Sequence, residues 1–128
     1  MIADRKFIEQ VPKFRVAVEN YRIAIGRDSI QKPLKEIDRF VENFTNYFQQ
    51  TNAEGAAPDP LEFSDFSPKE LLWEALTSAE RVDTQLHQAA LLVYDARVSN
   101  VINIKSMIFM RGLHGELRRL RLLISKLK

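Results

Sequence analysis

Residues 67–96 read SPKELLWEALTSAERVDTQLHQAALLVYDA. The opening four residues form a capping box, with Ser67 at the N-cap, Pro68 at N1 and Glu70 at N3. The serine hydroxyl and the glutamate carboxylate can each accept from an amide that the first helical turn leaves open, and proline sits where no amide is needed. Phe66 and Leu71 flank the box at N′ and N4, the positions of a hydrophobic staple. Behind it Leu72, Ala75, Ala79, Val82, Leu86, Ala89, Val93 and Ala96 recur at alternating spacings of three and four. That period draws one apolar seam along a helix, and its alanines leave room for a close neighbour.

Two more seams lie upstream. Phe7, Val11, Phe14, Val18, Tyr21 and Ile25 make the first, and Ile30, Leu34, Ile37, Val41, Phe44 and Phe48 the second. Pro12 falls inside the first and is expected to kink or restart that helix, because proline has no amide to donate and crowds the preceding turn. Gly26-Arg27-Asp28-Ser29 reads as C-cap, turn and N-cap between the two. Downstream, Met110, Leu113, Leu117, Leu120, Ile124 and Leu127 form a fourth seam, with Ile104 and Ile108 leading into it. Arg97-Val98-Ser99-Asn100-Val101 mixes β-branched and cap-forming residues, and a turn is expected there. The alternative is one unbroken helix over 68–127, about 90 Å long at 1.5 Å per residue, in a dimeric assembly.

Between the second and third seams, residues 53–66 carry the proline and glycine of a long loop, and no alternating run or Asn-Gly turn signals a strand anywhere. The fold class expected is therefore all-α, an antiparallel up-down-up-down four-helix bundle in a single domain spanning 1–128. A chain of 128 residues and 45% apolar content suits one core. Cysteine is absent, which removes disulfides, thiolate metal sites and cysteine nucleophiles together. No apolar run is long enough to span a bilayer. The charged start Met1-Ile2-Ala3-Asp4-Arg5-Lys6 lacks the apolar block of a secretory signal, so the expected compartment is the cytoplasm. Asn43-Phe44-Thr45 matches a glycosylation sequon but falls in the middle of the second seam.

The net charge of +2 hides a strong asymmetry. Residues 53–99 hold three basic and nine acidic side chains, whereas residues 100–128 hold seven basic and one acidic. Opposite the fourth seam runs a basic stripe of Arg111, His114, Arg118, Arg121 and Lys128, widened by Arg119 and Lys126. Such a stripe can follow nucleic-acid phosphates. It can equally be neutralised from within: an antiparallel turn near residue 99 sets Glu70, Glu74, Glu80 and Asp83 at the levels of residues 128, 124, 118 and 115. No aromatic residue interleaves with these arginines as a base-stacking platform would require.

Enzyme motifs are missing. There is no phosphate-binding glycine loop, no Gly-x-Ser-x-Gly, no His-Glu-x-x-His and no Glu-x-x-His. No catalytic residue, cofactor or metal is expected: Glu80, Asp83 and His87 share two turns of the third helix, but the seam turns Glu80 and His87 outward. The stretch His114-Gly115-Glu116-Leu117-Arg118-Arg119-Leu120 resembles the phosphoacceptor helix of histidine kinases in setting a histidine beside cations. It departs from that family in the intervening Gly115 and in having no proline after it; the resemblance implies a histidine phosphotransfer bundle as a third reading. Gly112 and Gly115 stand in a helix interior and would each serve a close crossing or a hinge.

The reading expected first is a non-enzymatic interaction module, a small adaptor, chaperone or regulatory subunit that binds a protein partner or itself. Ile2, Val16 and Ile23 on the first helix and Leu122 on the fourth are expected to point away from the core and form its contact surface. Asp59, Glu62 and Asp65 alternate with Leu61, Phe63 and Phe66, and the phenylalanines are expected to plug the end of the bundle. A nucleic-acid-associated helical protein using the basic stripe is the runner-up. One consequence is immediate: Ser67→Ala should lower stability by about 0.5–2 kcal/mol, read from denaturant unfolding, because an N-terminal amide loses its acceptor.

Overall fold

The computed structural model describes residues 2–27, 29–50, 55–99 and 104–128, with side chains described from Arg5 onward and, between α3 and α4, up to Leu92 and again from Met107. Four helices form: α1 (Ile2–Ile25), α2 (Gln31–Gln50), α3 (Pro68–Ser99) and α4 (Ile104–Leu127). The capping box closes as expected. The Glu70 amide donates to Ser67 Oγ at 3.1 Å and the Ser67 amide to Glu70 Oε1 at 3.1 Å. Phe66 and Leu71 are both half-buried against the core. α1 runs on through Pro12 instead of restarting there. Pro12 is exposed, on the side away from the seam, so the carbonyl deprived of its amide faces water. At the next boundary the Leu34 amide donates to Ile30 O at 3.0 Å, so α2 begins one residue later than a Ser29 cap would place it, and Asp28 lies outside the described residues.

The seams make the core. Phe7, Val11, Phe14, Val18 and Tyr21 of α1 pack with Leu34, Ile37, Val41, Phe44 and Phe48 of α2. Phe7 and Phe14 meet Phe44 edge to face, with ring centroids 5.7 Å apart in each case. Ala75, Ala79, Val82, Leu86 and Ala89 of α3 face Leu113, Leu117, Leu120 and Ile124 of α4, joined by Leu123, which lies off the expected seam. Ile108 departs from the expected pattern: it is 62% exposed, while the adjacent Phe109 and Met110 are the ones packed against the core. Val93, Ala96 and Ile104 fall outside the described side chains.

Helix directions follow from side-chain pairs. Phe7 meets Phe48 while Phe14 meets Phe40, so α1 and α2 are antiparallel. Tyr21 donates to Leu72 O and Arg15 to Asp83, so α1 and α3 are antiparallel. Glu74 meets Arg119 and Ser78 meets Glu116, so α3 and α4 are antiparallel. A straight helix would hold Ser78 and Glu116 about 57 Å apart at 1.5 Å per residue; their hydrogen bond at 2.9 Å excludes the unbroken 68–127 helix. α4 therefore runs with α1 and against α2, and Lys128 at its end reaches Asp38 of α2.

Packed neighbours are therefore all antiparallel, and the order around the bundle is α1, α2, α4, α3. The succession of directions is not up-down-up-down, however. α2 and α3 run the same way across the diagonal, and the described part of the crossover, from Gly55 onward, climbs along α4 from the level of His114 past that of Arg119 to the start of α3. Its length permits this: an extended chain covers ~3.3–3.6 Å per residue, against about 1.5 Å per residue in α2. Residues 59–66 of this crossover are wound into consecutive tight turns, with Glu62, Ser64 and Phe66 amides donating to Asp59, Leu61 and Phe63 carbonyls. Phe63 is buried beneath the Arg119 guanidinium and meets half-buried Phe66 edge to face at 5.3 Å, while Leu61 stands 72% exposed.

Tyr21 sits fully buried where α1, α3 and the core meet, and its hydroxyl donates to Leu72 O at 2.8 Å. Burial pushes its phenol up to about 12. The folded value lies above the ordinary value of about 10, so the stability contributed by the neutral phenol is complete below about pH 10 and is lost as pH rises towards 12. Tyr21→Phe should lower stability at neutral pH by about 0.5–1.5 kcal/mol and flatten the alkaline decline, as measured by urea unfolding at several pH values.

Candidate functional site

The basic stripe of α4 is divided by the fold into three kinds of side chain. Arg119 turns inward. Its guanidinium is 20% exposed, reaches Glu74 at 2.8 Å and Glu62 at 3.1 Å, has Glu116 at 3.7 Å, and lies 4.8 Å over the Phe63 ring. Burial alone would lower its pKa, but hydrogen bonds to Glu74 and Glu62 and the charges of Glu62 and Glu116 outweigh this and raise it. Lys128 is neutralised by Asp38 of α2 at 2.7 Å.

His114 is fully buried rather than exposed on the stripe. It flanks the Leu113–Leu117 seam, and the crossover loop covers that flank. The Gly55 amide donates to His114 Nδ1 at 2.6 Å. A phosphoacceptor imidazole needs an open nitrogen at the surface, whereas this one is enclosed beneath the loop. The glycines explain how the loop comes so close. A methyl at Gly55 would strike the Arg111 carbonyl and the Gly115 backbone, while Gly115 faces Ala56 at 3.8 Å. Gly112 faces open space.

Arg111, Arg118, Arg121 and Lys126 remain. Arg118 is half-buried and donates through Nη1 to Gly55 O at 3.0 Å; Arg111, Arg121 and Lys126 are exposed. Among the described residues none of these four has an acidic partner. The acidic side chains expected to neutralise them go elsewhere: Glu80 pairs with Arg22 at 3.1 Å and Asp83 with Arg15 at 3.1 Å, both on α1. Six positions separate Glu74 from Glu80, which turns one about 120° from the other around α3. Glu74 therefore faces α4 and Glu80 faces α1.

Arg118 and Arg121 border a cavity of about 390 Å³ between α2, α4 and the crossover, together with Thr45, Gln49, Leu122 and Ser125. Thr45 is 5% exposed, and its Oγ1 has no hydrogen-bond partner. Leu122 is placed here, half-buried against the core, and not on an outward stripe.

The outer surface of α1 carries the other expected residues. Val16 is 60% and Ile23 48% exposed; the Ile2 side chain lies outside the described residues. On the adjacent helix α3, Trp73 is 50% exposed, next in sequence to the Leu72 that receives Tyr21. Sequence reasoning passed over Trp73, although its place one residue off the seam was a signal. The Thr45 cavity had no such signal, since it is assembled from residues of α2, the crossover and α4 that are far apart in the chain. His87 pairs with Asp83 at 3.4 Å, and no group of three or more metal-ligating side chains gathers among the described residues. Likewise no helix among them is long and apolar enough to cross a membrane.

No family model, no curated protein and no solved structure matches this chain.

Gly112 and Gly55 give opposite expectations. Gly112→Ala should stabilise by about 0.5–1 kcal/mol, since the methyl meets nothing and helix propensity improves. Gly55→Ala should cost about 1–3 kcal/mol, because two backbones must part to admit the methyl. Thermal melts of the two variants beside the native chain check both signs.

Proposed function

We propose that this chain is a non-enzymatic helical interaction module, a small cytoplasmic adaptor, chaperone or regulatory subunit, that associates with a second copy of itself through the outer edge formed by α1 and α3. The observation carrying this reading is the exposure of three large apolar side chains, Val16, Ile23 and Trp73, on these two adjacent helices. Single apolar residues at a surface are ordinary. A half-exposed tryptophan beside two aliphatic side chains has the composition of an interface centre, where aromatic anchors concentrate.

The polar setting supports a self-contact. Around the apolar residues stand Arg15 with Asp83, and Arg22 with Glu19 and Glu80, both signs in near balance. A two-fold contact brings one patch against its own copy, which suits a patch of mixed charge and disfavours one of a single sign. The nucleic-acid reading has less support, because the stripe it needs is interrupted at His114, Arg119 and Lys128.

Val16→Glu combined with Ile23→Glu tests the reading. The native chain should show a concentration-dependent dimer by light scattering or sedimentation. The variant should be monomeric with its melt shifted by no more than about 0.5 kcal/mol, as for other surface changes. A native chain that stays monomeric up to high concentration, or a variant that loses its fold, would reject it.

A further inference from the structure

We propose that two copies of this chain lay α3 against α3 in antiparallel register about a two-fold axis, seating Trp73 of each copy on Leu91 of the other. The inference rests on the self-association reading above and deepens it by fixing which side chains meet.

The first observation is a stripe along α3. Trp73 is 50% exposed and Leu91 66%. Eighteen positions separate them, about five full turns, so both project from one line of the helix about 27 Å apart. Between them the same line carries the exposed Thr77 and Thr84 and the half-buried Glu80 and His87. Neither threonine hydroxyl depends on water. Thr77 Oγ1 donates to Trp73 O at 3.1 Å and Thr84 Oγ1 to Glu80 O at 3.2 Å, so a partner can cover both without orphaning a donor. Glu80 is held by Arg22 at 3.1 Å, and His87 lies against Asp83 at 3.4 Å. The stripe thus has a large apolar side chain at each end and small or already engaged groups between.

The second observation is how such a stripe meets itself. Two-fold symmetry allows two settings. With the helices parallel, Glu80 faces Glu80, and like charges placed opposite one another are costly. With the helices antiparallel, the axis falls at the level of Val82, midway between Trp73 and Leu91. Trp73 then faces Leu91, Glu80 faces Thr84 and Thr77 faces His87, with no like charges opposed. That setting also opposes the two α3 macrodipoles.

The third observation is on α1. The pairing of Arg15 with Asp83 at 3.1 Å sets the exposed Val16 near the level of Val82, and so near the antiparallel axis. An axis crossing α3 at right angles keeps α1 of one copy facing α1 of the other. Val16 then approaches its own counterpart, and Ile23 joins the same contact. An axis running along α3 would carry the two α1 helices to opposite sides of the α3 pair and leave Val16 and Ile23 in water. Only the antiparallel setting brings the exposed apolar residues of both helices into one interface.

The test uses the full chain. By sedimentation, Leu91→Glu should weaken the dimer about tenfold or more. Leu91 is exposed, so helicity by circular dichroism should match the native chain. Trp73 is the sole tryptophan, so native emission should shift to the blue as concentration rises, while Leu91→Glu shows no shift over the same range. Crosslinking reads the register. The chain has no cysteine, so Thr77→Cys and His87→Cys chains carry one thiol each. Mixed at a concentration where both sediment as dimers, they should be joined to one another by a short bis-maleimide. Neither should be joined to its own copies, whose thiols would stand about 15 Å apart along the helix axis. Thr77→Cys joined to itself would show the parallel register and overturn the inference. A native dimer with no joining in the mixture, or with Leu91→Glu dimerising unchanged, would overturn it while leaving self-association in place. A native chain that stays monomeric at high concentration rejects the self-association reading and this inference together.

Discussion

The Arg119 guanidinium fastens the crossover loop, α3 and α4 to one another. It holds Glu62 from the loop, Glu74 from α3 and Glu116 from its own helix, and covers the ring of Phe63. A largely buried cation is tolerated only when its charge is met on several sides, and removing one partner of such a cluster leaves the others uncompensated. Arg81 adds a second positive charge on Glu116 at 3.3 Å, which keeps three carboxylates from crowding one arginine. This cluster brings the loop down onto the bundle at the level where it must turn into the capping box. Below it, Gly55 and Gly115 let loop and helix backbones touch, and His114 accepts the Gly55 amide. The loop is thus anchored at two levels of α4.

That anchoring decides the architecture. Because the crossover climbs along α4, α3 starts at the end where α1 finishes, and α2 and α3 run the same way on opposite corners. Each remaining contact joins antiparallel neighbours, so the dipoles of adjacent helices oppose one another throughout. The loop also contributes the wall of the cavity that Arg118 and Arg121 border. On the opposite edge, α1 and α3 are joined by ion pairs of both signs around exposed apolar residues. The molecule therefore has two chemically distinct edges, one of mixed charge with aromatic and aliphatic groups, the other cationic and concave.

Much of the fold was legible because it is encoded over a few residues. The four apolar seams, the box at Ser67–Glu70, the single long loop and the absence of strands all rest on spacings within one helix or one turn, and each is found among the described residues. Val16 and Ile23 read as outward because a residue opposite a seam has nowhere else to go. Several of the readings that changed concerned what lies beside a helix. His114 flanks its seam, and whether a flank is wet or covered depends on the loop laid over it. Arg119 and Arg118 are neighbours of one charge, yet one is enclosed by carboxylates and the other is held by a carbonyl. Leu122 looked outward on a wheel and lies against α2, because the fourth helix is flanked there by a neighbour that the wheel does not contain.

By itself the sequence determined four helices, their inward faces and the start of α3, since a 3.6-residue period and a cap are properties of adjacent positions. Tertiary structure alone decided the direction of α3, the partners of each charge and the existence of the Thr45 cavity. Those depend on which helix becomes the neighbour of which, and a crossover long enough to span the bundle leaves that choice to the contacts made far along the chain.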